Sequence, residues 1–402
     1  MVYKWSMRMK QLNIADELFN QLRQVKMLFA NDMAVYSSGR PVGNDPADYV
    51  AVLRELYKAM GHIGLYLEGM EQNIENLYSR SGCLGDLEKV PAFFESFYGV
   101  IGEMLSAIVR YREYYCIIQR DDQIPGLASH MITNLGHMAM AISEGYIPVI
   151  DMVNADNSFA GLSRSLGKNA WELFFRQPFD KPLPSPLPAH RHIVKKGIPP
   201  VMPNYDMDFL TNPALVDRWR RLVKKHMPFS PSIQGKLDLA AQSGPFHTGS
   251  RVLGVLCRGT DYTLTRPYNH PVQPTINEAL AKAEEAMGEH GCKYLYLATE
   301  DPKILSAFQE RFRGALFVTQ DIYYPDMGGG SLNDANKKFQ IDLYRKNEEY
   351  LTALYLLSRC HCLIGGRTSG TVMALLFASR FDYFYVWNKG RYGVDDTFTV
   401  LF

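Results

Sequence analysis

From Arg251 onward, five short runs rich in leucine, β-branched and aromatic residues punctuate the chain: RVLGVLC, KYLYLAT, ALFVT, HCLIG and DYFYVW. Between them lie four stretches with helical spacing of apolar residues: TINEALAKAEEAMGEH, PKILSAFQERF, NEEYLTALYLLSR and GTVMALLFAS. Strands that alternate with helices run parallel, because a helix-length crossover returns the chain to the same end of the sheet. The alternation predicts a doubly wound α/β domain over residues 241–402. Such sheets take ligands outside the carboxyl ends of their strands, so the residues just after each run are the first candidates for chemistry.

A similar texture occurs earlier. EYYCIIQ reads as a strand, RDDQIPGLASH as a loop, SHMITNLGHMAMAISEG as a helix with Ser129 as N-cap and Gly145 as its stop, and YIPVIDM as a second strand. Gly126 and Gly136 suit a close approach of backbone. This βαβ pattern places a second Rossmann-like domain over residues 112–240. It includes a proline-punctuated segment from Gln177 to Pro213, read as an ordered irregular loop lining a cleft.

Residues 1–111 read as helices: apolar residues recur at steps of three and four in Leu18, Leu22, Val25 and Phe29, and again from Ile63 to Leu77 and from Phe94 to Ile108. They predict an N-terminal helical bundle. It either closes on its own core or offers a surface for homo-oligomers or other partners.

The formal charge of +1 excludes a broad nucleic-acid binder, which needs a strong basic excess. The six cysteines form no CxxC pair and sit in or beside apolar runs, which predicts reduced, buried thiols and no metal site. No run approaches the ~20 apolar residues that span a bilayer, and the N-terminus lacks an apolar leader core. The expectation is a cytoplasmic protein. The basic, aromatic MVYKWSMRMK keeps peripheral membrane contact open.

At the carboxyl ends of the later strands stand three clusters: CRGTDY with Arg258, Gly259, Thr260 and Asp261; ATEDP with Thr299, Glu300 and Asp301; and GGRTSG with Gly366, Arg367, Thr368, Ser369 and Gly370. Arg258 suits a pyrophosphate, since a guanidinium meets phosphate oxygens bidentately and keeps its charge. GGRTSG opens a helix, whose first N–H groups and dipole favour an anion. Glu300 or Asp301 can accept from a ribose hydroxyl or a base N–H. The structural alternatives are an Arg258–Asp261 ion pair and Asp301 as a helix N-cap with Pro302 at the first helical position. GxxxxGK[ST] does not occur, nor does a clean GxGxxG.

In that order, GVLCRGTDY, YLYLATEDPKILSAFQERF and LSRCHCLIGGRTSGTVMALLFA resemble the three peptide motifs of the fucosyltransferase superfamily, which includes α1,2-, α1,6-, nodulation and protein O-fucosyltransferases. GLASHMITNLGHMAMAISEGYIPVIDM is similar to their N-terminal strand–loop–helix–strand. HPVQP and WNKGRYG resemble bacterial members from polysaccharide gene clusters. The resemblance covers about residues 115–390 and implies a GT-B fold, two Rossmann-like domains around a cleft, with acceptor on the first and GDP-fucose on the second. It implies an inverting reaction with no metal and no cofactor.

Position by position, the resemblance gives Arg258 the grip on the donor diphosphate, the TEDP carboxylates the guanine or ribose, and Thr368 and Ser369 the phosphates. Where the α1,6 enzymes carry a second arginine, this chain has Gly259, so Arg258 carries more of the charge, aided by Arg367. The base is open among Asp261, His270 and Glu172, with Gly126, Ser129 and Glu172 on the acceptor side. Two further readings stay open: transfer from another nucleotide sugar, and a non-catalytic glycan-binding or scaffold protein.

Overall fold

The computed structural model describes residues 114–123, 126–144, 146–187, 192–324, 335–336 and 338–394, apart from the side chains of 261 and 262. The expected helical bundle over 1–111 lies outside the described residues. Cys116–Ile142, Ile147–Leu187 and Ile193–Phe402 cluster as one compact unit, which holds two parallel sheets with flanking helices.

The first sheet has three strands. β1 (Tyr115–Gln119) is central, with β2 (Ile147–Ile150) on one side and β3 (His192–Lys196) on the other. α1 (Leu127–Ser143) links β1 to β2, which is the predicted βαβ unit. Two details differ from expectation. The helix starts at Leu127, ahead of Ser129, and the loop region after Gln177 contains β3, a half-exposed strand with lysines that the proline count obscured. Gly136 is a true close approach: a Cβ there would stand 2.6 Å from Pro199 Cγ and from Val201 O. At Gly126 a Cβ would meet nothing within 4 Å, so its place in the loop is not one of crowding.

Short helices α2 (Ala160–Leu166), α3 (Ala170–Phe174) and α4 (Met207–Leu210) follow. α5 (Pro213–His226) and α6 (Pro231–Ala241) each start on a capping side chain, Asn212 and Ser230, with proline at the first helical position. α5 packs on α11 (Ser369–Phe377), where Arg220 Nε donates to Leu375 O at 3.0 Å, and α6 packs on α10 (Leu343–Arg359).

The second sheet runs β6 (Leu316–Phe317), β5 (Tyr294–Ala298), β4 (Val252–Leu256), β7 (Cys362–Gly365), β8 (Tyr383–Val386), with every pairing parallel. β4 is buried at all five residues because helices cover both faces. On one face Leu253, Val255, Leu295, Leu297 and Ile364 meet α8 (Ile276–Glu289) and α9 (Pro302–Arg311). Alanines at 279, 283 and 286 let α8 lie close to the sheet. On the other face a Cβ at Gly254 would meet Cys360 and Leu357 at 3.0 Å, so that position takes no larger residue without a shift.

The strand order reverses between β4 and β7: the chain moves outward from β4 through β5 to β6, then returns to β4's other side. That reversal is the switch point at which open α/β sheets form their ligand crevice. The five described cysteines are buried free thiols, with Cys292 and Cys362 sulfurs 3.8 Å apart. Among the described residues no helix is long and apolar enough to cross a membrane.

Candidate functional site

The register of the second sheet aligns the candidates. Ala298, Leu256, Gly365 and Val386 form one row across β5, β4, β7 and β8. Two residues further along each strand come Glu300, Arg258, Arg367 and Asn388. Neighbouring strands stand about 4.8 Å apart. The three clusters expected at one sheet edge are therefore brought to one edge, with the switch point between Arg258 and Arg367.

Arg258 keeps a quarter of its side chain exposed, and its Nε lies 3.9 Å from Glu300 Oε1, beyond hydrogen-bond length. Glu300 Oε1 also accepts from Thr260 Oγ1 at 2.8 Å. Asp301 has two acceptor duties: Oδ1 caps α9 by accepting from Lys303 N at 2.8 Å, and Oδ2 accepts from Thr260 N at 3.3 Å. The capping role expected of Asp301 and Pro302 is present. Thr299 is 3% exposed and structural: its Oγ1 accepts from Asp301 N at 3.2 Å, and its N–H donates to Gln320 at 2.9 Å. These carboxylates raise the thiol of buried Cys257 as well, which desolvation first of all pushes up to about 12.

The loop they hold is strained. Thr260 has φ +41°, rare for a β-branched residue, and is kept there by bonds to Glu300 and Asp301. A Cβ on Gly259 would fall 2.1 Å from Asp301 Oδ2. Position 259 therefore takes no side chain unless the Asp301 carboxylate moves. α7 (Thr260–Thr265) begins directly after it, with Asp261 in its first turn.

On the β7 side, Thr368 caps α11 by accepting from Thr371 N at 3.2 Å, and Thr371 Oγ1 donates to Gly366 O at 2.5 Å. Thr368 is buried, while Ser369 at the first helical position is half-buried. A Cβ at Gly370 would stand 2.6 Å from Tyr350 OH, and one at Gly366 would stand 1.9 Å from Gln273 Oε1. Arg367, expected to assist Arg258, is satisfied by the chain itself: Nε donates to Tyr205 O at 3.0 Å, Nη1 to Asn388 at 2.9 Å and Nη2 to Asp206 at 2.9 Å.

His270 lies in the loop after α7, its ring Nδ1 3.1 Å from Tyr268 O and its carbonyl accepting from Tyr392 N at 2.9 Å. The tautomer that donates from Nδ1 makes Nε2 the basic atom. Glu172 sits elsewhere, in the first turn of α3, accepting from Gln177 Nε2 at 3.0 Å. It borders a groove of about 890 Å³ walled also by Leu166, Arg176, Ser232 and Tyr344; Arg258, Glu300 and Ser369 do not line it. Ser129, in α1, accepts from Arg120 Nη1 at 2.9 Å. Arg120, Asp206, Gln273 and Arg391 were not singled out by the sequence. Arg120 had a signal, since QRDD follows its strand as CRGTD follows β4. Among the described residues no group of three or more His, Cys, Asp or Glu is placed to hold a metal ion.

No family model and no curated protein matches the chain. Among solved structures it is similar to NodZ α-1,6-fucosyltransferase co-crystallized with GDP, at 15% identity over 67% of this chain and 94% of that one, with a TM-score of 0.41. POFUT1 in complex with GDP gives 9% identity over 70% and 99%, with a TM-score of 0.39. An Arabidopsis thaliana FUT1 variant in complex with GDP gives 9% over 80% and 79%, with a TM-score of 0.42.

Proposed function

We propose that the chain is an inverting, metal-independent glycosyltransferase that moves fucose from GDP-fucose to a glycan hydroxyl. The observation that carries this reading is the switch-point row: an exposed-edged guanidinium, Arg258, beside the N-terminus of α11, in a chain whose three strand-end motifs resemble those of fucosyltransferases. A fixed cation and a helix N-terminus at one crevice suit a diphosphate.

The reaction breaks the bond between fucose C1 and the β-phosphate oxygen and forms one between C1 and the acceptor oxygen. The acceptor hydroxyl gives its proton to a base, drawn from Asp261 and His270, and attacks C1 from the face opposite GDP. Negative charge then grows on the departing phosphate. Arg258 and the Ser369–Gly370 N–H groups stabilise it, each such donor contributing about 3 kcal/mol when preorganised. Glu300, next in the row, orients Arg258 and lies within reach of ribose or base donors. The first sheet carries the acceptor.

The test is a thermal-shift and turnover panel. GDP and GDP-fucose are expected to raise Tm and UDP to leave it unchanged. Incubation with GDP-fucose is expected to release GDP in the wild type and not in Arg258→Ala. Stabilisation by UDP alone would move the reading to another nucleotide sugar, and equal turnover in the variant would end it.

A further inference from the structure

Asp206 sits just ahead of α4, far from the second sheet in sequence, yet its Oδ1 receives two guanidiniums. Arg367 Nη2 donates at 2.9 Å, and Arg391 Nη2 makes a still closer contact. The remaining bonds of both arginines go to neutral oxygens: Arg367 to Tyr205 O and Asn388 Oδ1, and Arg391 Nη1 to Asn269 O at 2.9 Å. Two positive charges thus share one carboxylate, and that carboxylate is 45% exposed while Arg367 is 8% exposed. A buried cation beside the N-terminus of a helix is electrostatically unfavourable without an anion, because the dipole adds positive potential there. The site holds more positive charge than Asp206 neutralises.

A second group at the same place is waiting for a partner. Gln273 is 4% exposed, its Nε2 donates to Pro271 O at 3.1 Å, and its Oε1 faces Gly366 without a hydrogen bond. Pro271 bridges to Arg391, so Gln273, Arg391 and the Gly366–Ser369 turn form one cluster. Arg367 occupies the position next to Arg258 in the strand-end row.

Building on the donor reading above, we propose that Asp206 is an internal anion that holds the place of a nucleotide's terminal phosphate. When the diphosphate binds, Arg367 and Arg391 exchange the Asp206 carboxylate for phosphate oxygens, and the segment carrying Tyr205 and Asp206 is released. Arg391 thereby becomes a donor-binding residue outside the three strand-end motifs. The released turn lets Gln273 Oε1 accept from a hydroxyl or N–H of the same ligand.

The experiment is calorimetric titration of the full chain with GDP, guanosine and inorganic pyrophosphate, in wild type, Asp206→Asn and Arg391→Gln. Removing the competing charge is expected to tighten GDP and pyrophosphate about tenfold and to leave guanosine unchanged. Arg391→Gln is expected to weaken GDP and pyrophosphate by a similar factor. Should Asp206→Asn prove unfolded by circular dichroism, Arg391→Gln alone decides. If GDP binds the wild type and neither variant changes its affinity, the exchange is wrong and the donor reading stands. If GDP fails to bind but pyrophosphate binds and responds to both variants, the exchange stands and the donor reading falls.

Discussion

Two arginines stand just past the ends of the central strands of the two sheets, and they differ in what they bond. Arg120 follows β1, and Arg258 comes two residues after β4. Arg120 is 8% exposed and bolted to its own helix: Nη1 donates to Ser129 O, Ser129 Oγ and Thr133 Oγ1 at 2.9 to 3.0 Å, and Nη2 reaches Asp122 at 3.4 Å. Burial pulls its guanidinium below the ordinary arginine value, with Asp122 working in the other direction. Arg258 is 25% exposed, and the helix after it begins with a strained Thr260 held by Glu300 and Asp301. The difference lies in what the next residues do. In the first sheet the loop feeds back serine and threonine from α1, so the charge becomes a structural bolt. In the second, Asp301 accepts from the Thr260 N–H and Glu300 from the Thr260 hydroxyl, while Arg258, 3.9 Å from the same Glu300 oxygen, keeps a quarter of its side chain exposed at the crevice.

The largest effect that would break this contrast is on turnover. Arg258→Ala is expected to lower the proposed glycosyl transfer by about 10³-fold. Its stability loss should be smaller than that of Arg120→Ala, because its side chain is less buried than that of Arg120. Arg120→Ala is expected to do the reverse. It strips a donor from the buried Thr133 hydroxyl and from the half-buried Ser129 hydroxyl and carbonyl and opens a hole beside the first sheet, costing about 2–4 kcal/mol in urea unfolding. The folded fraction should still bind nucleotide as wild type does. If Arg120→Ala instead abolished nucleotide binding with stability intact, the two arginines would share one role.

The strands and the capping of α9 were legible because both are local signals. Contiguous apolar runs mark buried parallel strands, and TEDP carries its own cap. Helices α5 and α6 were not read from the sequence: NP and SP open them, but the proline density ahead of them reads as loop. β3 gives little signal because it is a half-exposed strand whose HIVKK mixes charge into the alternation. The Asp206 cluster gives none at all. Asp206 meets partners 161 and 185 residues away, and no periodicity encodes a contact of that range. Arg367 shows the cost: its motif points to phosphate, while its bonds in the folded chain go to Tyr205, Asp206 and Asn388.

Gly259 sharpens the comparison at the level of the loop. Gly259→Ala puts a methyl 2.1 Å from Asp301 Oδ2, so the carboxylate must leave. It then gives up its bonds to Lys303 N and Thr260 N, a loss of about 1–2 kcal/mol. In a double-variant cycle with Asp301→Gly, which also removes the Cβ 2.8 Å from the added methyl, the second change should add almost nothing to the first. Full additivity would mean that the glycine serves something other than the Asp301 contact.

The smallest effect separates the two sheets by pH. His130 is buried in α1, 3.3 Å from Ser158 Oγ, and its pKa is lowered to about 3, first by burial and then by the nearby Arg120 charge. In the unfolded chain it titrates near the ordinary 6.5. Between those values the unfolded state binds a proton that the folded state does not, so stability falls as pH drops below 6.5 and levels off below about 3. By pH 5.8 the loss relative to pH 7.5 is about 1 kcal/mol. Urea midpoints of wild type and His130→Gln at the two pH values read it directly: the variant's midpoint should move less by that amount. Parallel shifts in both proteins would assign the acid sensitivity to a group other than this buried imidazole.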